Sequence, residues 1–130
     1  MAALSVEDHL AIQQLYAQYN HAIDSGQGET WASCFTPEGT FSSASGNFAG
    51  REQLAGFATA FAQRMKARHW TNNLVVTSSE DGAHGTCYLM LLRLNPEGPA
   101  SILTTAIYRD TLAKTDEGWR FSSRSVAGDA

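Results

Sequence analysis

No run of basic residues occurs in the chain, and 9 Lys and Arg against 13 Asp and Glu leave a formal charge of −4. That balance excludes the usual electrostatic footprint of a nucleic-acid binder or of a protein held to an anionic membrane, and favours a small apolar molecule as partner. Long apolar runs are also lacking. The longest uncharged apolar stretches, such as Cys87 to Leu92, are far too short to cross a bilayer, and Met1 to Val6 lacks the basic and apolar parts of a signal peptide. The expected location is therefore the cytoplasm. Cysteine is scarce: Cys34 falls in an amphipathic helical stretch and Cys87 in a β-like run, with no CxxC spacing. Both read as small buried hydrophobes, with no disulfide framework. A GxSxG elbow, a phosphate-cradling glycine loop, a dinucleotide fingerprint and any His or acid pattern at metal-ligand spacing are missing, so no metal and no cofactor is expected.

What is present suffices for one core. With 130 residues, 43% of them hydrophobic, residues 1–130 are expected to form a single domain. Ser5 and Asp8 form a capping-box start, and Ile12, Leu15, Tyr16, Tyr19, Ala22 and Ile23 follow at helical spacing up to Ser25-Gly26. Glu29 to Phe35 reads as a short second helix with Trp31, Cys34 and Phe35 inward, closed by Pro37 and followed by a β-like Thr40 to Ser43. A Ser/Gly-rich turn through Ala44 to Asn47 leads to a third helix from near Gly50, with Leu54, Phe57, Ala58, Phe61 and Met65 on one face. The second half changes period. His69 to Ser78, His84 to Leu94, Ser101 to Leu112 and Gly118 to Val126 read as four strands joined by short hairpin-like turns. The expected class is α+β, three N-terminal helices covering one face of a strongly curved, mostly antiparallel sheet, with a pocket between the layers.

Strand alternation sends His69, Thr71, Asn73 and Val75 to one face and Trp70, Asn72, Leu74 and Val76 to the other. If the first set faces the helices, His69 lies beneath the end of the first helix, where Asp24 is the nearest carboxylate. An anion in that last turn opposes the helix dipole and so calls for a partner. A carboxylate bonded to one imidazole nitrogen would leave the other free as a base. From spacing alone the plainer readings are favoured: Asp24 as a solvated loop residue capping the second helix, and His69 as a hydrogen-bonded core histidine. His9, His21 and His84 read as surface or edge positions. Tyr108 and Asp110 share a strand face with Ile102, Thr104 and Ala106, and Tyr19 lies on the apolar helix face. Either phenol could enter a pocket wall or simply pack. Asp110 could pair with Arg109, Arg120 or Arg124 in a solvated cross-strand contact.

Read together, LAIQQLYAQYNHAIDSG, ARHWTNN and IYRDTLAKTDEGWRFSSRSV resemble the SnoaL-like branch of the nuclear-transport-factor-two-like superfamily over nearly the whole chain. The resemblance implies a cone-shaped α+β barrel enclosing an apolar pocket, commonly as a homodimer. Scytalone dehydratase and hexachlorocyclohexane dehydrochlorinase, of the same superfamily, use a His-Asp dyad whose matching positions here are His69 and Asp24. By the same match Tyr19 and Tyr108 fall at pocket-lining positions, and Met90 falls near a second functional histidine of scytalone dehydratase. Ile23 replaces the tyrosine that precedes the dyad Asp in that enzyme, so scytalone itself is not the expected substrate.

The functional expectation is a cofactor-independent lyase of dehydratase type, or an isomerase, acting on a small apolar, cyclic or aromatic molecule. His69 would take the proton, Asp24 would orient it, and Tyr19 or Tyr108 would donate to a developing charge. The remaining expected pocket residues are Trp31, Phe35, Phe61, Met65, Asn73 and Met90. The alternative is a non-catalytic domain that binds a hydrophobic ligand in the same pocket. A homodimer is expected because a sheet face carrying Leu74, Val76 and the Leu91 or Leu92 row is too apolar for water.

Overall fold

The computed structural model describes residues 3–130; Met1 and Ala2, the start of the segment read as lacking a signal peptide, lie outside the described residues. Helix α1 (Val6–Asp24) starts at a reciprocal cap, in which the Asp8 N–H donates to Ser5 Oγ and the Ser5 N–H donates to Asp8 Oδ2, both at 3.0 Å. Its apolar stripe is the expected one, from Ile12 to Ile23, and Gly26 at φ 72° turns the chain out of the helix. Helix α2 (Gly28–Ser33) packs on α3 (Arg51–Arg64) so closely that a side chain at Gly28 would overlap Ala55 and Thr59.

Phe35 does not end the second helix. It opens strand β1 (Phe35–Ser43), because the Cys34 carbonyl accepts the Phe121 N–H at 2.9 Å and draws the chain into the sheet. Only Ala44 and Ser45 separate β1 from β2 (Gly46–Ala49), a short strand in what the sequence presents as turn. The sheet continues through β3 (Ala67–Ser78), β4 (Ala83–Arg93), β5 (Ser101–Thr115) and β6 (Gly118–Gly128). Strand order is β2-β1-β6-β5-β4-β3, antiparallel throughout except for the parallel β1–β6 pair. The mixed sheet is unclosed: β2 and β3 are edges, so α1, lying against β3, completes the enclosure that a closed barrel would obtain from strand pairing. No helix among the described residues is long and apolar enough to cross a membrane.

Beneath the helices the space is filled by rings. Tyr19, Trp31, Phe35, Phe41, Tyr108 and Phe121 are all buried, and Tyr19 has four aromatic neighbours at centroid distances of 5.2 to 6.2 Å. Each such ring removes a large apolar area from water.

One irregularity in β3 changes side-chain directions. Its ladder with β4 slips between Asn72 and Val75, with Asn73 at φ 55°. Asparagine tolerates that left-handed backbone, and the extra residue reverses the alternation. Leu74 and Val76 therefore join the inward face with His69 and Thr71 and pack on the core, while Val75 is exposed. Leu91 is buried as well, so the outward apolar surface differs from the expected one: it carries Trp70, Val75, Tyr88 and Ile102.

Candidate active site

Asp24 ends α1, where the dipole opposes its charge, and its partner is His69. The carboxylate accepts from His69 Nδ1 at 2.6 Å and from the His69 backbone N–H at 3.1 and 3.2 Å. That N–H sits on an edge strand and finds in Asp24 the acceptor that a neighbouring strand would otherwise provide. Both side chains are nearly buried, with 6% of His69 and 10% of Asp24 exposed, and the Phe61 ring packs 5.5 Å from the imidazole. Because an ionised carboxylate only accepts, Nδ1 carries the proton, and neutral His69 presents its lone pair at Nε2. Nε2 has no hydrogen-bond partner among the described residues.

His69 and Asp24 line a cleft of about 760 Å³ between α1 and β3. Gln13, Tyr16, Asn20 and His21 of α1 form one wall, and the strand contributes Arg68 through Asn72 together with Leu74. Asn20 Nδ2 donates to Thr71 Oγ1 at 3.0 Å across the same cleft. Polar side chains outnumber apolar ones around it, with Ala17, Trp70, Leu74, Cys87 and Met90 supplying the apolar part of the lining.

Of the pocket residues expected from the sequence, Met90 lines this cleft and Phe61 touches it through His69. Tyr19, Trp31, Phe35 and Tyr108 are sealed in the aromatic core, Asn73 is exposed at the bulge, and Met65 lies half-buried just after α3. His9, His21 and His84 are exposed. Among the described residues no group of three or more His, Cys, Asp or Glu side chains is arranged to hold a metal ion.

The tyrosine that does reach the cleft is Tyr16, and its hydroxyl donates to Asp110. The path passes over Gly85, the register partner of Asp110, where any side chain would overlap the phenol. Arg124 grips the same carboxylate through Nε at 2.7 Å and Nη2 at 2.8 Å, with neither side chain exposed. The solvated cross-strand pair expected for Asp110 is thus a buried one, because the register puts Arg124 opposite it on the inward face. The guanidinium lies 3.7 Å from the Tyr108 ring centroid, 4.3 Å from Phe121, 4.4 Å from Tyr19 and 4.9 Å from Tyr16. Burial opposes the Arg124 charge, but Asp110 more than offsets it and holds the group firmly protonated. Burial, reinforced by the Asp110 charge, pushes the Tyr16 phenol above its ordinary range, and burial does the same to Tyr19 and Tyr108. These phenols are therefore donors, never bases, at neutral pH.

The SnoaL-like domain model matches residues 4–125. The chain belongs to the SnoaL-like family. No curated protein matches it. Among solved structures, a protein of unknown function from Mycobacterium tuberculosis is 34% identical, covering 92% of this chain and 70% of that one, with a TM-score of 0.86. Aln2 from a Streptomyces species is 26% identical over 98% of this chain and 95% of its own, with a TM-score of 0.89. A nuclear-transport-factor-two-like protein with a cystatin-like fold from Novosphingobium aromaticivorans is 23% identical over 95% and 83%, with a TM-score of 0.85, and shows the shared fold.

Within this SnoaL-like frame, Tyr16, Asn20 and Thr71 are among the polar cleft residues to which the sequence reading gave no site role. A signal existed: Asn20 precedes Asp24 by one helical turn, and Thr71 follows His69 by one strand repeat, so each shares a face with a member of the pair. Tyr16 carried no such signal, since its place in the helical stripe is that of a core residue.

Proposed function

We propose that the protein is a cofactor-independent lyase of dehydratase type, or an isomerase, acting on a small and mainly apolar cyclic or aromatic substrate. The observation that carries this reading is the pairing of His69 Nδ1 with Asp24 at 2.6 Å on the wall of an open cleft, with Nε2 left without a partner among the described residues. A base so held takes a proton from carbon, and Asp24 stabilises the imidazolium that results. Membership of the SnoaL-like family is consistent with this chemistry but does not choose it, since one fold hosts many functions. Tyr19 and Tyr108 drop out of the proposed donor role because both are enclosed around Arg124. We place the protein in the cytoplasm, in keeping with two free and buried cysteines.

A binding-only role is the second reading, favoured by one fact: Asp24 also accepts the His69 backbone N–H and so ties the edge strand to α1. Hydrogen–deuterium exchange separates the two. β-Tetralone, a fused aromatic ketone with acidic C–H bonds, is incubated with the protein in D₂O and followed by proton NMR. Proton abstraction by His69 accelerates exchange, and His69→Gln lowers the protein-dependent rate by roughly 10²–10⁴-fold. A rate equal to that of buffer, or one indifferent to His69, favours the binding domain.

A further inference from the structure

Asn20 and Thr71 meet across the cleft as Asp24 and His69 do. On α1, Asn20 stands one turn before Asp24; on β3, Thr71 is the next inward residue after His69, and all four line the same cavity. We propose that Thr71, oriented by Asn20, is the donor that holds a carbonyl oxygen of the substrate beside His69. The inference rests on the proton abstraction proposed above and narrows its substrate to ketones with an acidic C–H next to the carbonyl.

Three observations support it. First, Asn20 Nδ2 donates to Thr71 Oγ1 at 3.0 Å, and that is the one hydrogen bond found for the Thr71 side chain among the described residues. A hydroxyl that accepts from an amide keeps its own proton for another acceptor, and here the cleft is what remains to receive it. Second, Asn20 Oδ1 is buried without a partner among the described residues. A buried unpaired carbonyl is unfavourable, so this amide is held in place at a penalty that a staple between helix and strand would not need. Third, inward residues two apart on a strand are separated by roughly 7 Å. That distance suits a base acting at a carbon and a donor acting at the carbonyl oxygen two bonds away, each at hydrogen-bond range. No phenol competes for the task, since Tyr19 and Tyr108 are enclosed and the Tyr16 hydroxyl is committed to Asp110.

In the step this arrangement performs, His69 Nε2 takes the proton from the carbon beside the carbonyl. The C–H electron pair becomes the C=C bond of an enolate, and the carbonyl π pair moves onto the oxygen held by Thr71 Oγ1–H. For isomerisation the imidazolium returns its proton to another carbon of the enolate system. For dehydration the oxygen pair re-forms the carbonyl, the new C=C bond expels a β-hydroxyl, and the imidazolium proton leaves with it as water. Thr71 is the group that touches substrate, and Asn20 is a positioning residue.

The test compares binding of β-naphthol, which presents an enol-like oxygen on a flat ring, with binding of naphthalene, by saturation-transfer NMR. The wild-type protein is expected to prefer β-naphthol roughly 3- to 10-fold, Thr71→Val to erase that preference, and Thr71→Ser to keep it. Asn20→Ala should weaken the preference with less effect on naphthalene itself, which a purely structural staple would not do. A preference that survives Thr71→Val, or a wild-type protein that shows none, overturns the inference. In β-tetralone exchange, Thr71→Val should cost about 10²–10³-fold, with Thr71→Ser restoring most of it. Exchange that depends on His69 but ignores Thr71→Val defeats this inference while leaving the proposed function standing. A naphthol preference that depends on Thr71 in a protein without His69-dependent exchange defeats the proposed function, and with it the catalytic part of this inference, and leaves Thr71 a ligand-binding donor only.

Discussion

Replacing Arg124 by methionine should destabilise the fold by about 3–5 kcal/mol, the usual consequence of stranding one member of a buried ion pair. The guanidinium is wholly buried, makes two short hydrogen bonds to Asp110 at 2.7 and 2.8 Å, and lies within 4.9 Å of four ring centroids. Without it, Asp110 keeps the Tyr16 hydroxyl as its one donor among the described residues, in an aromatic interior where an uncompensated carboxylate is strongly unfavourable. For 130 residues, an unfolding entropy near 2.1 cal/mol/K per residue turns that loss into a fall in Tm of roughly 11–18 °C. Adding Asp110→Leu to Arg124→Met removes both charges, and the double variant should recover most of the loss, because apolar replacements of similar volume tolerate such a site. Urea unfolding followed by fluorescence of the buried Trp31 and Trp119 gives the midpoint shift, with m unchanged if the native state survives. A loss below about 1 kcal/mol for Arg124→Met, or a double variant no more stable than the single, would refute this account of the core.

Asp8 supplies a pH dependence of definite sign. The Ser5 N–H, Lys114 Nζ and Trp119 Nε1 all donate to its carboxylate and hold it well below the ordinary carboxylate range. A depressed folded-state pKa gives stability that is present above the unfolded value, near 3.9, and is lost as pH falls below it. Urea midpoints between about pH 7 and pH 3 should therefore fall less steeply for Asp8→Asn than for wild type, and parallel curves would count against the cap. Burial pushes the thiols of Cys34 and Cys87 up to about 11, so the native protein should resist a thiol reagent at neutral pH and react fully once unfolded. Rapid labelling of the native state would contradict their burial. We propose a homodimer formed through the outward sheet face, where Trp70 is 59% and Tyr88 53% exposed. Sedimentation should give twice the chain mass at micromolar concentration and the chain mass for Trp70→Asp; a wild-type monomer would remove the claim.

Much of this fold was legible because its signals are local. The capping box at Ser5 and the helical stripe through Ile23 gave α1 nearly to the residue, and turns rich in Gly, Pro and Asp marked the hairpins of the last four strands. Phe35 misled because its helical spacing from Trp31 is real, yet pairing with Phe121 across the sheet claims it for β1. The bulge at Asn73 was invisible to an alternation count, since one extra residue reverses every direction after it. Both errors are long-range in origin. The site divides in the same way. Asp24 stood out because an anion at a helix end asks for a partner, and the structure supplies His69. Tyr19 and Tyr108 were expected to line a pocket from the family resemblance, whereas spacing left packing equally open, and in this chain Arg124 and the neighbouring rings fill the space before them. Asn20 and Thr71 needed only the two periodicities to be extended by one step from the pair.

The central claim is that His69 and Asp24 act as one unit on a C–H bond, and non-additivity in β-tetralone exchange tests it most directly. His69→Gln and Asp24→Asn are each expected to lower the protein-dependent exchange rate by roughly 10²–10⁴-fold, with the double variant little worse than either single. Circular dichroism of each variant should match wild type. A double variant whose loss is the product of the two single losses, or an Asp24→Asn protein that exchanges at the wild-type rate, would contradict it.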